Sequence, residues 1–378
     1  MRYQIAPVLL LALVCLGCGK KAEETPATPQ PTAETPPPTP APAVPPTAPE
    51  VRPTIVAHSP SGAIIVTPAN FVRAESDTYL GNLAKESGGL GKLFHHREPA
   101  SVDNQTVVRL NRDTLYSSAV YDLDAGPVTV TLPDTSGRFQ SLMVVNQDHY
   151  AWTEYGAGKH EIDRDKAGTR YVLVGVRTLV NPNDPADVEA VHRLQDAITM
   201  EQAGGPGTLD LPRYDEESQK KVRDALVALA ATSPGFDRAF GTKDQVDPVN
   251  HLMGAAAGWG GNADKDAKYL GVTPAKNDGK VVYRLRVKDV PVEAFWSVTV
   301  YDAKGYLHKN AQNAYSLNNL TAKKDDDGGV TLQFGGCDGK VPNCLPTMPG
   351  WTYTVRMYRP QQAILDGSWT FPAAEPVN

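Results

Sequence analysis

The sequence predicts a mostly β protein with helical insertions, built as two antiparallel domains of sandwich or barrel type. Three observations predict it. Residues 106–180 hold short runs rich in Val, Thr, Leu and aromatics, parted by turn chemistry such as "DAGP" and "DTSG". The middle of the chain changes to helical spacing of its apolar residues. From Gly279 the strand-like runs return. No internal repeat of short period is present. The 378 residues are 41% hydrophobic and 21% charged, a composition that can bury a core.

The first residues stand outside this scheme. Residues 5–16, "IAPVLLLALVCL", are apolar but too short to span a bilayer, and Arg2 precedes them. Residues 1–17 therefore read as a secretory signal peptide. The run ends in "LGC", which resembles the bacterial lipoprotein signal. That resemblance implies cleavage before Cys18 and acylation of its thiol, and Gly19 after it implies sorting to the outer membrane. Residues 18–53 read as a linker, with 12 of the 32 prolines between Thr25 and Pro53. Proline lacks an N–H and holds φ near −65°, so neither helix nor ladder can form there. An extended polyproline tether of this length reaches at most roughly 90 Å.

Residues 54–203 form the first β-rich domain. It opens with a helix over 70–85, where Phe71, Ala74, Tyr79 and Leu83 make an apolar stripe that Gly88-Gly89 end. "TVVRL", "LYSSAVYDL", "PVTVTLP", "RFQSLMVVN" and "TRYVLVGVRTLV" follow as strands. A helix is expected from Pro185, with Val188, Val191, Leu194 and Ile198 on one face and Gly204-Gly205 as its end. Residues 204–278 form a helical connecting region with "DEESQKKVRDALVALAATSPG" and "DPVNHLMGAAAGWGG". Residues 279–378 form the second β-rich domain, from "KVVYRLRV", "AFWSVTVYD", "GVTLQFGG" and "TYTVRMYRP".

Two domains carry a resemblance. "NFVRAE", "NRDTLYSSAVYDLDAGPVTVTLPD", "NQDHYAW" and "GTRYVLVGVRTLV" make the segment from about 70 to 200 similar to the bacterial domain of unknown function 1254 (DUF1254). "FWSVTVYDAKGYLHKN", "NAYSLNN", "YTVRMYRP" and "ILDGSWTFP" make the segment from about 280 to 375 similar to the companion DUF1214. The resemblance implies two β-rich domains with helical insertions and no settled reaction.

Of the four cysteines, Cys15 leaves with the signal and Cys18 is the lipid site. Cys337 and Cys344 lie seven apart in "FGGCDGKVPNCLP". In an exported chain such a pair reads as a disulfide, with free thiols or a metal site as the alternatives. No metal site is expected: His95 and His96 are adjacent, which is poor chelating geometry, and no H-E-x-x-H occurs. "GGLGKL" fails the phosphate-loop spacing, G-x-S-x-G is absent, and "KKDDDGG" reads as a solvated hairpin tip. The sequence names no cofactor. A net charge of −6 without a basic run argues against nucleic acid as partner.

Two polar concentrations interrupt the strands. In "LNRDTLY", Asn111 to Thr114 read as a turn between strands. The functional alternative makes Asp113 a general base and Tyr116 a hydrogen-bond donor, with Asn111 and Arg112 as binding groups. In "VVNQDHYAW", His149 is the third catalytic candidate, and Asp148 and Tyr150 can share a strand face for binding. A structural hydrogen-bonding role for His149 is the other reading. Trp296, Tyr301 and Asn310 are candidates for an aromatic, polar-rimmed groove, although the aromatics also fit a core. Two functions are therefore expected. One is a lipid-anchored envelope protein that binds a small molecule or glycan-like ligand in a groove between the domains. The other is a hydrolase or lyase using Asp113, Tyr116 and His149.

Overall fold

A computed structural model of the chain describes residues 56–105, 108–233 and 235–377. The expectations for the signal segment, Cys18 and the proline-rich linker lie outside the described residues.

In the N-terminal half, α1 (Phe71–Glu86) is followed by β1 (Phe94–His96), β2 (Thr114–Asp122), β3 (Val128–Leu132), β4 (Gln140–Asn146), β5 (Ala151–Glu154) and β6 (Gly158–Ile162). Then come α2 (Arg164–Ala167), β7 (Tyr171–Leu179), α3 (Pro185–Asp196) and β8 (Thr199–Gln202). The order β1-β2-β7-β4-β5 makes one antiparallel sheet and β6-β3-β8 a second. Strand alternation puts Ala119, Tyr121, Val130, Leu142, Val144, Val174 and Val176 on facing surfaces, where they form one core.

Next come α4 (Glu216–Ala230) and α5 (Pro248–Ala257). Asp215 caps α4 by accepting from Ser218 N, and Asp247 caps α5 by accepting from Val249 N and Asn250 N. Pro248 holds the first helical position, where no N–H is needed. These helices join α1 around Phe71, Ala74, Leu226 and Ala255. Glu75 on α1 is buried and paired with Arg223 on α4, Oε2 to Nη2 at 2.5 Å.

The C-terminal half runs through β9 (Ala267–Val272), β10 (Tyr283–Val287), β11 (Trp296–Tyr301), β12 (Ser316–Asn318), β13 (Val330–Phe334) and β14 (Cys344–Leu345). It ends with β15 (Thr352–Tyr358), α6 (Gln362–Leu365) and β16 (Glu375–Pro376). Two four-stranded sheets, β12-β11-β15-β9 and β14-β13-β10-β16, enclose Leu285, Val298, Leu332, Phe334, Trp351 and Tyr353. Every pairing is antiparallel except β13 with β14. Both halves are mostly β, and among the described residues no sheet closes into a barrel. Phe139 and Leu179 from the first half meet Ala267, Phe295 and Tyr358 from the second, with Phe295 stacked on Tyr358 at 4.2 Å.

Three local expectations fail, each through tertiary override. The helix from Pro185 ends at Asp196, because Thr199–Gln202 is taken as an edge strand by β3. Ala267–Val272, in the stretch expected to be helical, pairs along β15. The described part of "TVVRL", Val108 to Leu110, is irregular, and Arg109 N donates to Gly305 O at 2.7 Å. Thr106 and Val107 lie outside the described residues.

Cys337 and Cys344 are bonded to each other. A cross-link closing so short a loop removes about 2–3 kcal/mol of unfolded-state entropy. Cys344→Ser, or reduction before a thermal scan, is expected to lower unfolding stability by that amount. A melting point that does not move would show that the bond gives no net stabilisation and refute this expectation.

Candidate functional site at the junction

"LNRD" is not a turn between strands. It is a strap across one face of the sheet β12-β11-β15-β9. Trp296, Val298, Val300, Tyr353, Val355 and Met357 belong to the C-terminal core. Alternation leaves Ser297, Thr299, Thr354 and Arg356 on the opposite face, polar yet buried. The strap supplies partners to Thr354 and Arg356, through the side chain and the carbonyl of Arg109. Arg356 Nη2 donates to Arg109 O at 2.8 Å and to Tyr301 Oη at 2.6 Å, and its Nη1 donates to Thr299 Oγ1 at 2.9 Å. Tyr301 Oη donates to Leu110 O at 2.8 Å.

Asp113 is 1% exposed and takes part in the same seam. Its Oδ1 accepts from Ser316 Oγ at 3.0 Å, and its Oδ2 has no partner among the described residues. The local turn is held instead by Asn111, whose Oδ1 accepts from Asp113 N at 2.9 Å. Arg112 donates to Ala100 O and lies 5.3 Å over the Tyr315 ring.

Tyr116 is the third residue of β2, opposite Arg177 on β7. The Arg177 guanidinium is 5.6 Å from the Tyr116 ring centre. It donates to Met143 Sδ at 3.0 Å, Asn262 Oδ1 at 3.3 Å and Gly260 O at 3.0 Å. Asn111 Nδ2 reaches Tyr116 Oη at 3.4 Å and Tyr358 Oη at 3.0 Å, and Asn262 Nδ2 reaches Tyr269 Oη at 2.7 Å. Burial raises the Tyr116 phenol, but Arg177 and the hydrogen bonds from Thr114 and Asn111 outweigh it and hold the group below the ordinary phenol range. Burial, with Tyr269 and Tyr116 nearby, drives Tyr358 well above that range.

His149 belongs to a different environment. It is 1% exposed, sits in a left-handed turn (φ 61°), and its Nε2 accepts from Gly260 N at 2.8 Å. Its ring stacks between His251 and Trp259, 5.4 Å from each, and Tyr150 stacks on the far side of His251. Burial, and then His251, push His149 down to about 3. Asp148 pairs with Arg73 at 2.5 Å, near the surface. Thus "NQDHY" packs the helical layer onto the sheet. Among the described residues no hydrogen bond joins His149 to Asp113 or Tyr116.

The other aromatic candidates fall away from any groove. Trp296 is in the C-terminal core against Phe371, because its strand face is the inward one. Tyr301 is spent on the strap. Asn310 closes its own loop, bonding both N and O of Ala314. Arg177, Asn262, Tyr269, Arg356 and Tyr358 were not singled out by sequence reasoning. A signal existed for two of them, since Arg177 and Arg356 are cations inside otherwise strand-like runs, "VGVRTLV" and "YTVRMY".

A groove does open between the halves, with a volume of about 810 Å³. Phe139, Tyr155 and Asn181 line it from the N-terminal half, and Asn318, Leu320 and Arg359 from the C-terminal half. Arg138 pairs with Asp187 at 2.5 Å along one wall, and Arg359 pairs with Glu293 on the other while its guanidinium lies 4.8 Å over the Tyr155 ring. Leu320 stands 65% exposed at the rim. Among the described residues no cluster of metal-ligating side chains occurs, and no helix is long and apolar enough to cross a membrane.

Residues 90–160 match the family model described as "Protein of unknown function (DUF1254)", and residues 267–362 match "Protein of unknown function (DUF1214)". The chain is similar to the VPA0106 protein from Vibrio parahaemolyticus, at 20% identity and a TM-score of 0.64, over 82% of this chain and 98% of that one. That likeness shows a shared fold. A protein from Burkholderia cenocepacia is similar at 14% identity and a TM-score of 0.46, over 82% of this chain and 86% of that one. Among curated proteins there is no match.

The buried His149 has a pH signature. Its folded value lies below the unfolded one near 6.5, so the unfolded chain takes the proton first. Its stabilisation is complete above that value and is lost as pH falls toward about 3. Between pH 6 and 5 the wild type is expected to lose up to about 1.4 kcal/mol more than His149→Asn, measured by denaturant titration. Parallel pH curves would show that His149 is not held neutral.

Proposed function

We propose that this DUF1254–DUF1214 chain is a cell-envelope lipoprotein that binds a small, polar, glycan-like ligand in the groove between its two halves. The observation that carries the reading is the groove itself, about 810 Å³ and walled by both halves. That is the size of small-molecule sites in general. Its lining suits a polyhydroxylated ligand. The paired charges of Arg138 with Asp187 and Arg359 with Glu293, and the amide of Asn181, offer fixed donors and acceptors to hydroxyl groups. Phe139 and Tyr155 offer apolar surface to the ring faces of a sugar. The anchor rests on the apolar run 5–16, the "LGC" ending and the proline-rich tether after Cys18. Lipid attachment through Cys18, with Gly19 following, puts the folded part at the outer membrane, facing the periplasm or the cell surface.

The acid–base reading of Asp113, Tyr116 and His149 as one catalytic group is not proposed. His149 spends its Nε2 on a backbone amide, and Asp113 is closed in by the strap and Ser316.

Full-length protein extracted in detergent is to be titrated calorimetrically with a panel of neutral and acidic oligosaccharides. At least one is expected to bind, and Arg359→Ala to weaken it about tenfold. The half-exposed Arg359–Glu293 pair is worth less than about 1 kcal/mol, so that variant stays folded. An affinity unchanged in Arg359→Ala, or no binding across the panel, sinks the groove. Separately, Cys18→Ala is expected to move the protein from the membrane fraction to the soluble one; retention in the membrane would refute the anchor.

A further inference from the structure

The outer face of the sheet β1-β2-β7-β4-β5 carries a slot. Register places His96, Tyr116, Arg177 and Ser141 in one row across it, and Phe94, Ser118, Gly175 and Met143 in the next. In the second row two bulky side chains flank two small ones. A Cβ at Gly175 would meet only the Met143 carbonyl oxygen within 4 Å, at 3.9 Å, an ordinary contact, so a side chain can be added there without displacing backbone. Tyr116, Ser118, Gly175 and Arg177 all keep accessible surface although they lie on interior strands. Trp259, stacked on Tyr79 at 4.5 Å, packs over the Met143 end.

The polar end of this slot consists of donors. The amide of Asn111 donates to the oxygens of Tyr116 and Tyr358, and that of Asn262 to the oxygen of Tyr269. The amide orientations are set from their other ends, by Asp113 N on Asn111 Oδ1 and by Arg177 Nη1 on Asn262 Oδ1. A phenol oxygen that accepts still has its own O–H to give. Among the described residues no carboxylate lies within ion-pair distance of Arg177; its partners are a carbonyl, an amide oxygen and a thioether. Asp266 acts on Arg177 through space but makes no contact pair with it, and an enclosed cation without a contact partner favours an anion that can reach it.

We propose that Arg177, Tyr116, Tyr269 and Tyr358 form an oxyanion site that holds the carboxylate of a small monocarboxylic acid, whose apolar body lies in the slot over Ser118 and Gly175. One guanidinium matches one negative charge, and its planar fork suits a carboxylate. Tyr116, made more acidic by Arg177, is a stronger donor than an ordinary phenol. Tyr358 is nearly fully buried and closes the back of the site, whereas Tyr269 is 39% exposed at its mouth.

The test uses full-length protein in detergent, titrated calorimetrically with benzoate, acetate and cyclohexanecarboxylate, and with benzamide as the neutral shape match of benzoate. At least one of the acids is expected to bind, with benzamide weaker than benzoate by about tenfold or more. Arg177→Gln is expected to weaken binding to the same degree. Gly175→Val decides the matter if Arg177→Gln does not fold. It adds a strand-favouring side chain whose Cβ makes only an ordinary contact with its surroundings, so it is expected to keep the melting point and abolish binding. Arg359→Ala, in the separate groove, is expected to leave the acid's affinity unchanged. Failure of all three acids to bind, benzamide binding as well as benzoate, binding that survives Gly175→Val, or loss of binding in Arg359→Ala would each overturn the proposal. The last outcome would move the acid to the groove.

Discussion

The molecule depends on how one polar sheet face is satisfied. The C-terminal sheet turns its apolar side chains to its own core and leaves Ser297, Thr299, Thr354 and Arg356 buried on the back. Buried polar groups without partners cost about 1–3 kcal/mol each, more when charged. The strap Arg109–Asp113 supplies carbonyls to Arg356 and Tyr301, and Asp113 accepts from Ser316. Because the strap leads directly into β2, an inner strand of the N-terminal sheet, it also sets where that sheet lies. The two sandwiches are therefore joined by a hydrogen-bonded seam, with the small apolar cluster of Phe139, Leu179, Phe295 and Tyr358 beside it.

A polar seam has consequences that an apolar one would not. Hydrogen bonds are directional, so the strap fixes the relative placement of the groups it carries. Asn111 in its middle holds two phenols at once, which brings Tyr116 of one half beside Tyr358 of the other. The satisfaction is incomplete. Asp113 Oδ2, Asp266 Oδ2 and Ser297 Oγ are buried without partners among the described residues. Such groups concentrate where a protein has uses other than stability. The groove and the outer slot are separate openings. One lies between the halves, and the other lies on the sheet face beside Arg177.

His149 illustrates how a residue that reads as catalytic can be structural. A histidine beside an acid and a tyrosine at a strand end carries the composition of an active site. Its φ of 61° and its place between two aromatic rings make it a wedge beneath the helical layer. Low dielectric then keeps it neutral, which removes the proton exchange that the reading required.

Much of the fold was legible locally. Helix starts were written in Asp184-Pro185, Asp215 and Asp247-Pro248, strand faces in the alternation of "VTVTL" and "YRLRV", and the disulfide in two cysteines seven apart. Each of these is a relation between residues a few positions apart, which is the range over which periodicity and capping act. The strap, the edge strand Thr199–Gln202 and the pairing of Ala267–Val272 were decided only in three dimensions. So was the role of Asp113, whose partner Ser316 is 203 positions away. A sequence pattern says which side of a strand is polar; it does not say what will lie against that side. That is why the two arginines inside apolar runs passed as strand residues, and why the tertiary structure alone placed Arg356 in the seam and Arg177 beside the slot.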